Sequence, residues 1–280
     1  MRSRTLDNDN YHEIADGVYW VGYADESAGL HCNPYLIADD GEAVLIDGGS
    51  RNDFGSVMLK IMRAGTNPGD IRYLIYQHYD PDLCGNLPHL EALIGRDDLR
   101  VLSHKDNNHF IDCYSTRTAK ECVADRDYTF TFSGGRRLRF IMTPYSHSSG
   151  SFVTYDAKTK VLFSSDLFGS YDADWQLYTR IGEKCAECAE CAHAQICPDT
   201  GKRCEVYGIL EFHKRMMTST KALRYALRQL DGLDISLIAP QQGSLLDTPA
   251  ARGVVINRFK GLTGVGIDQF LAKEGGRDDE

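Results

Sequence analysis

The sequence predicts an α/β fold in which sheets are faced by helices, and three observations carry that prediction. Short β-rich runs alternate with segments of helical apolar spacing, in the order strands, helix, strand, helix, strand hairpins, helix, strand. Polar residues gather where the strands end, the usual place for sites in layered α/β folds. No repeat or long linker interrupts this order over 280 residues, enough chain for a core that needs no staples.

The elements follow in turn. "GVYWVGY" and "NPYLIADDGEAVLIDGGS" are hairpin-like strands broken by Asp-Asp-Gly and Gly-Gly. "FGSVMLKIMRAG" has helical apolar spacing and a glycine stop. "IRYLIYQHYD" is a β-rich run, "GNLPHLEALIG" a helix and "VLSHKD" a short strand. "YTFTFSGGRRLRFIMTP" forms a hairpin around Gly134-Gly135, and "SFVTYDAKTKVLFSSDLFGS" forms another that ends on polar residues. "KALRYALRQLDGLDISLIAPQQG" reads as helix, turn and strand. Residues 183–204, "EKCAECAECAHAQICPDTGKRC", break the composition.

Composition excludes several function classes. A net charge of −9 argues against nucleic acid as a partner, because broad charge-driven binding needs phosphate neutralisation. The start, "MRSRTLDNDNYHEIADG", has no apolar secretory core. No apolar run approaches the roughly 20 residues that span a bilayer. The expectation is a cytoplasmic protein with no membrane partner. Nine cysteines then point to free thiols or metal ligands rather than disulfides. Cys84 and Cys113 are expected to be small buried residues.

Four strand-end clusters are candidates for chemistry. The first is "YQHYDPDLCGN", where His78, Asp80 and Asp82 fall at every second position; strand periodicity would put them on one face. The others are "TPYSHSSGS" with His147, "LFSSDLFGS" with Asp166, and "IAPQQGS" with Gln242. Histidines and carboxylates together suit zinc, iron or manganese. The competing reading is structural: His78 and Asp80 cap the next helix, and Asp166 sits in a turn.

Taken together and in order, "LIDGG", His-x-Asp-x-Asp, "PYSHSSGS", "LFSSDLFGS" and "IAPQQGS" resemble the metallo-β-lactamase fold. The resemblance implies an αββα sandwich, a single domain over residues 1–280 with a cysteine-rich insertion near 183–204. It implies a binuclear metal site along one edge of the sheets, with Asp47 of "LIDGG" as a buried structural aspartate. Hydrolases of this fold show His-x-His-x-Asp-His, and this chain has Asp80 at the second position. A carboxylate there resembles the flavodiiron proteins, which reduce oxygen or nitric oxide at a non-haem diiron centre. The chain is more similar still to their stand-alone oxygen-binding relatives: the short stretch after "IAPQQG" leaves no room for a flavodoxin, so no flavin is expected.

The resemblance implies two iron ions. His78, Asp80 and His147 would bind the first, Asp82 the second, and Asp166 would bridge them. Asp80 adds negative charge and a hard oxygen donor, which independently shifts preference from zinc towards iron or manganese. Two departures affect the second ion. Leu83 stands where many relatives have a histidine, and Gln242 stands where "PQHG" would supply another. His213 is the candidate replacement ligand, against the alternative of a packed helix histidine. Tyr79 and Tyr145 flank the ligands and could donate to bound oxygen, against simple packing. Cys185, Cys188, Cys191, Cys197 and Cys204 could hold zinc or an iron–sulfur cluster, against an exposed insertion with free thiols.

The leading expectation is a diiron protein that binds dioxygen or nitric oxide. It would act as a sensor with a signalling partner, or as a reductase with an external electron donor. The runner-up is a binuclear metallohydrolase such as a phosphodiesterase, whose two metals would activate a hydroxide. The missing histidines at 83 and 242 weigh against it. A homo-oligomer is compatible with the sequence.

Overall fold

Alternation along each strand decides the layering. The computed structural model describes residues 7–25, 30–171 and 175–274. In chain order its strands are β1 (His12–Ala15), β2 (Val18–Trp20), β3 (Tyr23–Asp25), β4 (Leu30–Cys32), β5 (Tyr35–Asp39), β6 (Glu42–Ile46) and β7 (Ile71–Ile75). There follow β8 (Arg100–Ser103), β9 (Ala119–Cys122), β10 (Thr129–Thr131), β11 (Arg137–Met142), β12 (Phe152–Asp156), β13 (Val161–Phe163) and β14 (Leu237–Ala239). The helices are α1 (Phe54–Arg63), α2 (Pro81–Cys84), α3 (Leu87–Ile94), α4 (Lys105–Ile111), α5 (Lys184–Glu187), α6 (Glu205–Met216), α7 (Thr220–Gln229), α8 (Pro249–Gly261) and α9 (Asp268–Glu274).

The strands form two main sheets, ordered β1-β2-β5-β6-β7-β8-β9 and β10-β11-β12-β13-β14; β3 and β4 form a separate ribbon. Odd and even side chains part company across each sheet. Tyr35 and Ile37 of β5, Val44 and Ile46 of β6, Phe163 of β13 and Ala239 of β14 fill the layer between the sheets. Leu36 and Leu45 point the other way, onto Val57, Ile61, Leu87 and Leu90 of α1 and α3. Leu162 and Ile238 point away from the shared layer onto Phe212, Leu223 and Phe259 of α6, α7 and α8. Helix, sheet, sheet, helix is the resulting order, the αββα sandwich. Each large apolar side chain buried in these layers contributes about 1.5–3 kcal/mol.

Three local expectations are corrected. The run "IRYLIYQHYD" leaves the strand at Ile75, three residues before His78. Pro81 has no N–H to donate and starts α2, so Asp82 lies in a helical first turn rather than on a shared strand face. Cys113 is exposed, whereas Cys84 is buried as expected. Among the described residues no helix is long and apolar enough to cross a membrane.

Candidate metal centre

His78 is placed by the end of β7. Backbone N–H groups of Asp47 and Tyr76 donate to Ile75 and Leu102, which carries the chain straight off the parallel strands. Asp47 is buried and accepts from the backbone N–H and the side-chain amide of Gln77, each at 3.2 Å. Burial pushes its pKa up to about 8 against those hydrogen bonds. It holds the loop through those two hydrogen bonds. His78 is 1% exposed, and its Nδ1 lies 2.9 Å from Ser165 Oγ. That contact aims Nε2 at the site, the outer-shell device common to metal-binding imidazoles.

Asp80 occupies the N-cap position of α2, yet its side chain makes no cap hydrogen bond. Its carboxylate turns instead to His147, with Oδ2 3.3 Å from Nε2, and lies 3.8 Å from His78 Nε2. The capping alternative therefore fails on geometry. Asp166 comes from the turn after β13, where Ser165 and Phe168 take left-handed φ of 54° and 72°. Strained backbone of this kind gathers at sites the surrounding fold over-determines. Asp166 Oδ2 lies 2.9 Å from His147 Nε2 and 3.7 Å from His78 Nε2.

Charge and orphaned atoms suit an ion. Both Nε2 atoms and Asp166 Oδ1 are buried without hydrogen-bond partners. Ligand atoms of His78, His147 and Asp166 all lie within 4.8 Å of one another. Burial works against a charged His147, but the carboxylates of Asp166 and Asp80 outweigh it and push its pKa up to about 10. Burial likewise raises Asp166, and the neighbouring histidines outweigh it, leaving the carboxyl below its usual range. Two imidazoles with two carboxylates match iron, manganese or zinc.

The second position is built differently. Asp82 Oδ2 accepts from the side-chain amides of Gln242 at 2.7 Å and Gln241 at 3.0 Å. Burial, then the Asp166 charge, raises the Asp82 pKa. Leu83 is fully buried in the layer beneath α1 and α3. The loop bearing both glutamines is anchored by Asn33, whose amide donates to Pro240 and Gly243 carbonyls at 3.0 and 2.8 Å. Gly243 (φ 93°) is required there, since a Cβ would meet Ser170 Oγ at 2.6 Å. What remains for a second ion among the described residues is oxygen: Asp82, the orphaned Asp166 Oδ1 and the orphaned Gln242 Oε1.

His213 does not complete this shell. It is fully buried, Nδ1 lies 2.7 Å from the Ile209 carbonyl, and Nε2 accepts from Phe168 N–H at 2.9 Å. Both nitrogens are spent on backbone, and the ring packs on Phe259 at 4.2 Å. Burial lowers its pKa to about 4. With the unfolded value near 6.5, the unfolded chain binds the extra proton first. Stability from this group is full above pH 6.5 and is lost as pH falls towards 4, by up to about 3 kcal/mol. His213→Ala is expected to flatten that part of the pH–stability curve and lower the Tm, with metal content unchanged. A drop in bound metal at full folding would make His213 a ligand after all.

Neither flanking tyrosine covers the site. Tyr79 turns away to stack on Phe110 at 4.4 Å, and Tyr145 is 56% exposed. The tyrosine near the carboxylates is Tyr171. Burial, then the charges of Asp166, Asp82 and Asp80, push its pKa up to about 12, and its hydroxyl donates to Met216 Sδ at 3.4 Å. Sequence reading missed Tyr171, Ser165 and Gln241, although each lies within five residues of a named candidate. The five cysteines of residues 183–204 lie apart from this centre, packed against the α6 and α8 layer.

Histidines and carboxylates from three loops at one edge of an αββα sandwich define a metal-binding protein of the metallo-β-lactamase fold. The chain belongs to the ODP family: the description "ODP family beta lactamase" matches residues 30–243. An uncharacterised protein of Methanocaldococcus jannaschii is 28% identical over 242 residues, 82% of this chain. The chain spans 56% of that relative's length. Among solved structures, the peroxy diiron species of chemotaxis sensor ODP superposes with a TM-score of 0.71 at 22% identity, covering 94% of this chain and 97% of that one. The flavodiiron protein from Giardia intestinalis gives 0.73 at 21% identity, covering 92% and 60%. These likenesses show the fold.

Proposed function

We propose that this protein is a non-haem iron protein that binds or reduces dioxygen or nitric oxide. It works as an oxygen or redox sensor, or as a reductase fed by an external electron donor. The observation that carries the reading is the donor set around His147: two imidazoles and two carboxylates, with Asp80 in place of the hydrolase histidine. His78, Asp80, His147 and Asp166 would hold the first iron, with Asp166 also facing a second. Iron held by these residues would supply the electrons for chemistry on a diatomic gas. The carboxylates favour its oxidised state through their negative charge. Ser165 fixes the His78 ring. Tyr171 keeps its proton at neutral pH, directed at Met216 Sδ.

The second iron, held by oxygen donors alone, belongs to the same proposal as a weaker site. Thiolate-bound metal at the cysteine segment is a further part of it. The hydrolase reading is not favoured. It needs a well-held second metal, and that position offers neither imidazole among the described residues nor a free Asp82 Oδ2. Purification without oxygen, with iron and zinc counted before air is admitted, tests the proposal. Bound iron and a new visible absorption band on exposure to oxygen are expected. Zinc alone, with cleavage of a phosphodiester, would overturn it.

A further inference from the structure

Residues 183–204 bring soft ligands from distant points of one segment to the same place. Cys185 lies on α5, Cys188 stands at its C-cap, and Cys191 sits in the short turn that follows. Cys197 opens a hairpin in which its N–H donates to Lys202 O and the Gly201 N–H donates back to Cys197 O. Cys204 occupies the N-cap of α6, and its N–H donates to Gln195 O. These bonds fold the last cysteine back onto the third. The Cys191 sulfur is in hydrogen-bond contact with the sulfurs of both Cys188 and Cys204. Cys204 Sγ also reaches the Cys191 carbonyl at 3.9 Å. Cys191 and Cys204 are buried.

Cys197 approaches from the hairpin side. It lines a cavity of about 80 Å³ together with Cys191 and Cys204. Its sulfur accepts from the Thr200 hydroxyl and from the backbone N–H groups of Asp199 and Thr200. Donors gathered on a sulfur favour the thiolate, the form that binds metal, and orient it as outer-shell partners do. Cys185 lines the cavity too, but among the described residues its sulfur has neither such donors nor a contact with another sulfur.

We propose that Cys188, Cys191, Cys197 and Cys204 bind a single zinc ion, with Cys185 the spare thiol of the five. Four thiolates on one tetrahedral zinc, each about 2.3 Å from the metal, stand about 3.8 Å from one another. Sulfurs that already touch suit that arrangement. An iron–sulfur cluster would set each thiolate on a different iron and part them. Among the described residues, the ligand atoms that all lie within 4.8 Å of one another are those of the edge centre. Closing the four sulfurs on one ion therefore takes rotation about χ1, the single torsion that aims a cysteine sulfur. Zinc in four thiolates keeps a double negative charge. Lys202 on the cavity wall and Arg258 of α8, which donates to the Cys188 carbonyl at 2.7 Å, lie on hand to offset it. Glu205 in the same lining is spent on Arg180 at 2.6 Å.

The ion would tie residues 183–204 to the start of α6, the helix whose His213 holds the backbone two residues from Asp166. A closed shell of four thiolates is a structural site, and its binding energy stabilises the fold around it. This zinc rests on the thiolate-bound metal of the function proposed above, and it does not depend on the edge iron or its gas chemistry.

The test uses the full chain prepared without oxygen, with zinc, iron and acid-labile sulfide counted. About one zinc per chain that survives dialysis is expected, without sulfide. Cobalt(II) in place of zinc is expected to give a thiolate-to-metal charge-transfer band, which the histidine–carboxylate centre has no sulfur to produce. Cys188→Ser, and Cys197→Ser in the hairpin, are expected to lose that band and to weaken zinc binding by more than about 100-fold, with the fold kept by circular dichroism. Cys185→Ser is expected to keep band and zinc; loss there, or retention in Cys197→Ser, would overturn the ligand assignment. His147→Ala is expected to keep its thiolate-bound zinc, which separates failure of this site from failure of the edge centre. Acid-labile sulfide, or a disulfide between Cys191 and Cys204 without metal, would overturn the zinc site.

Discussion

Replacing His147 with alanine is expected to remove the first metal ion and with it all response to oxygen. The imidazole lies 2.9 Å from Asp166 and 3.3 Å from Asp80, so its nitrogen is the donor that both carboxylates face. Loss of an outer-shell partner alone costs 10–100-fold in metal affinity. Loss of a direct ligand should cost more than about 100-fold on that scale. The metal-free protein suffers as well. Without the positive ring, Asp80 and Asp166 face each other across a partly buried gap, and like charges there disfavour ionisation. Iron counted after dialysis, and titration calorimetry of the metal-free variant, check the result. Ser165→Ala gives the graded comparison, since it frees the His78 ring without removing a donor; a loss of about 10–100-fold is expected. Unchanged iron content in His147→Ala would remove the proposed centre altogether.

The layered fold was legible because apolar alternation and helical spacing both survive in short runs. "NPYLIADDGEAVLIDGGS" forms β5 and β6, and "FGSVMLKIMRAG" forms α1 ending at Arg63, as their patterns require. β9 was not legible: "AKEC" has no apolar face, and its pairing with β8 is decided by the parallel sheet it joins. The motifs pointed to His78, Asp80, His147 and Asp166, because their residue types suit a metal and their order matches a known fold. Sequence could not show how the loops close. Nothing in "EFHKRMM" reveals that both His213 nitrogens meet backbone groups, one of them 45 residues away. Nor does spacing reveal that Asp80 declines the N-cap it occupies, since that depends on a histidine 67 residues later in the chain. Leu83 shows the same limit. Read as a missing ligand, it is in place a core side chain beneath α3, where a histidine would bury a polar ring at a cost of a few kcal/mol.

That burial makes Gln242, not Leu83, the position to change. Gln242→His is expected to raise metal retention from about one ion per chain to about two, because it supplies the nitrogen donor the second position lacks. Two effects act together. The amide that now donates to Asp82 Oδ2 at 2.7 Å is removed, freeing that oxygen for an ion. The new ring starts from a loop already fixed by Asn33 and by Tyr35, whose hydroxyl donates to the Pro240 carbonyl at 2.6 Å. Little ordering is left to be done, so the gain should appear as affinity rather than as a change in fold. Gln241 still donates to Asp82 at 3.0 Å, and Gln241→Leu added to Gln242→His should increase retention further. Ion counts after graded chelation distinguish the outcomes. A wild-type chain that already holds two ions as tightly as the variant would show that oxygen donors suffice. If the variant still holds one, the second position is closed by more than the missing imidazole, and the gas-binding reading would have to stand on a single iron.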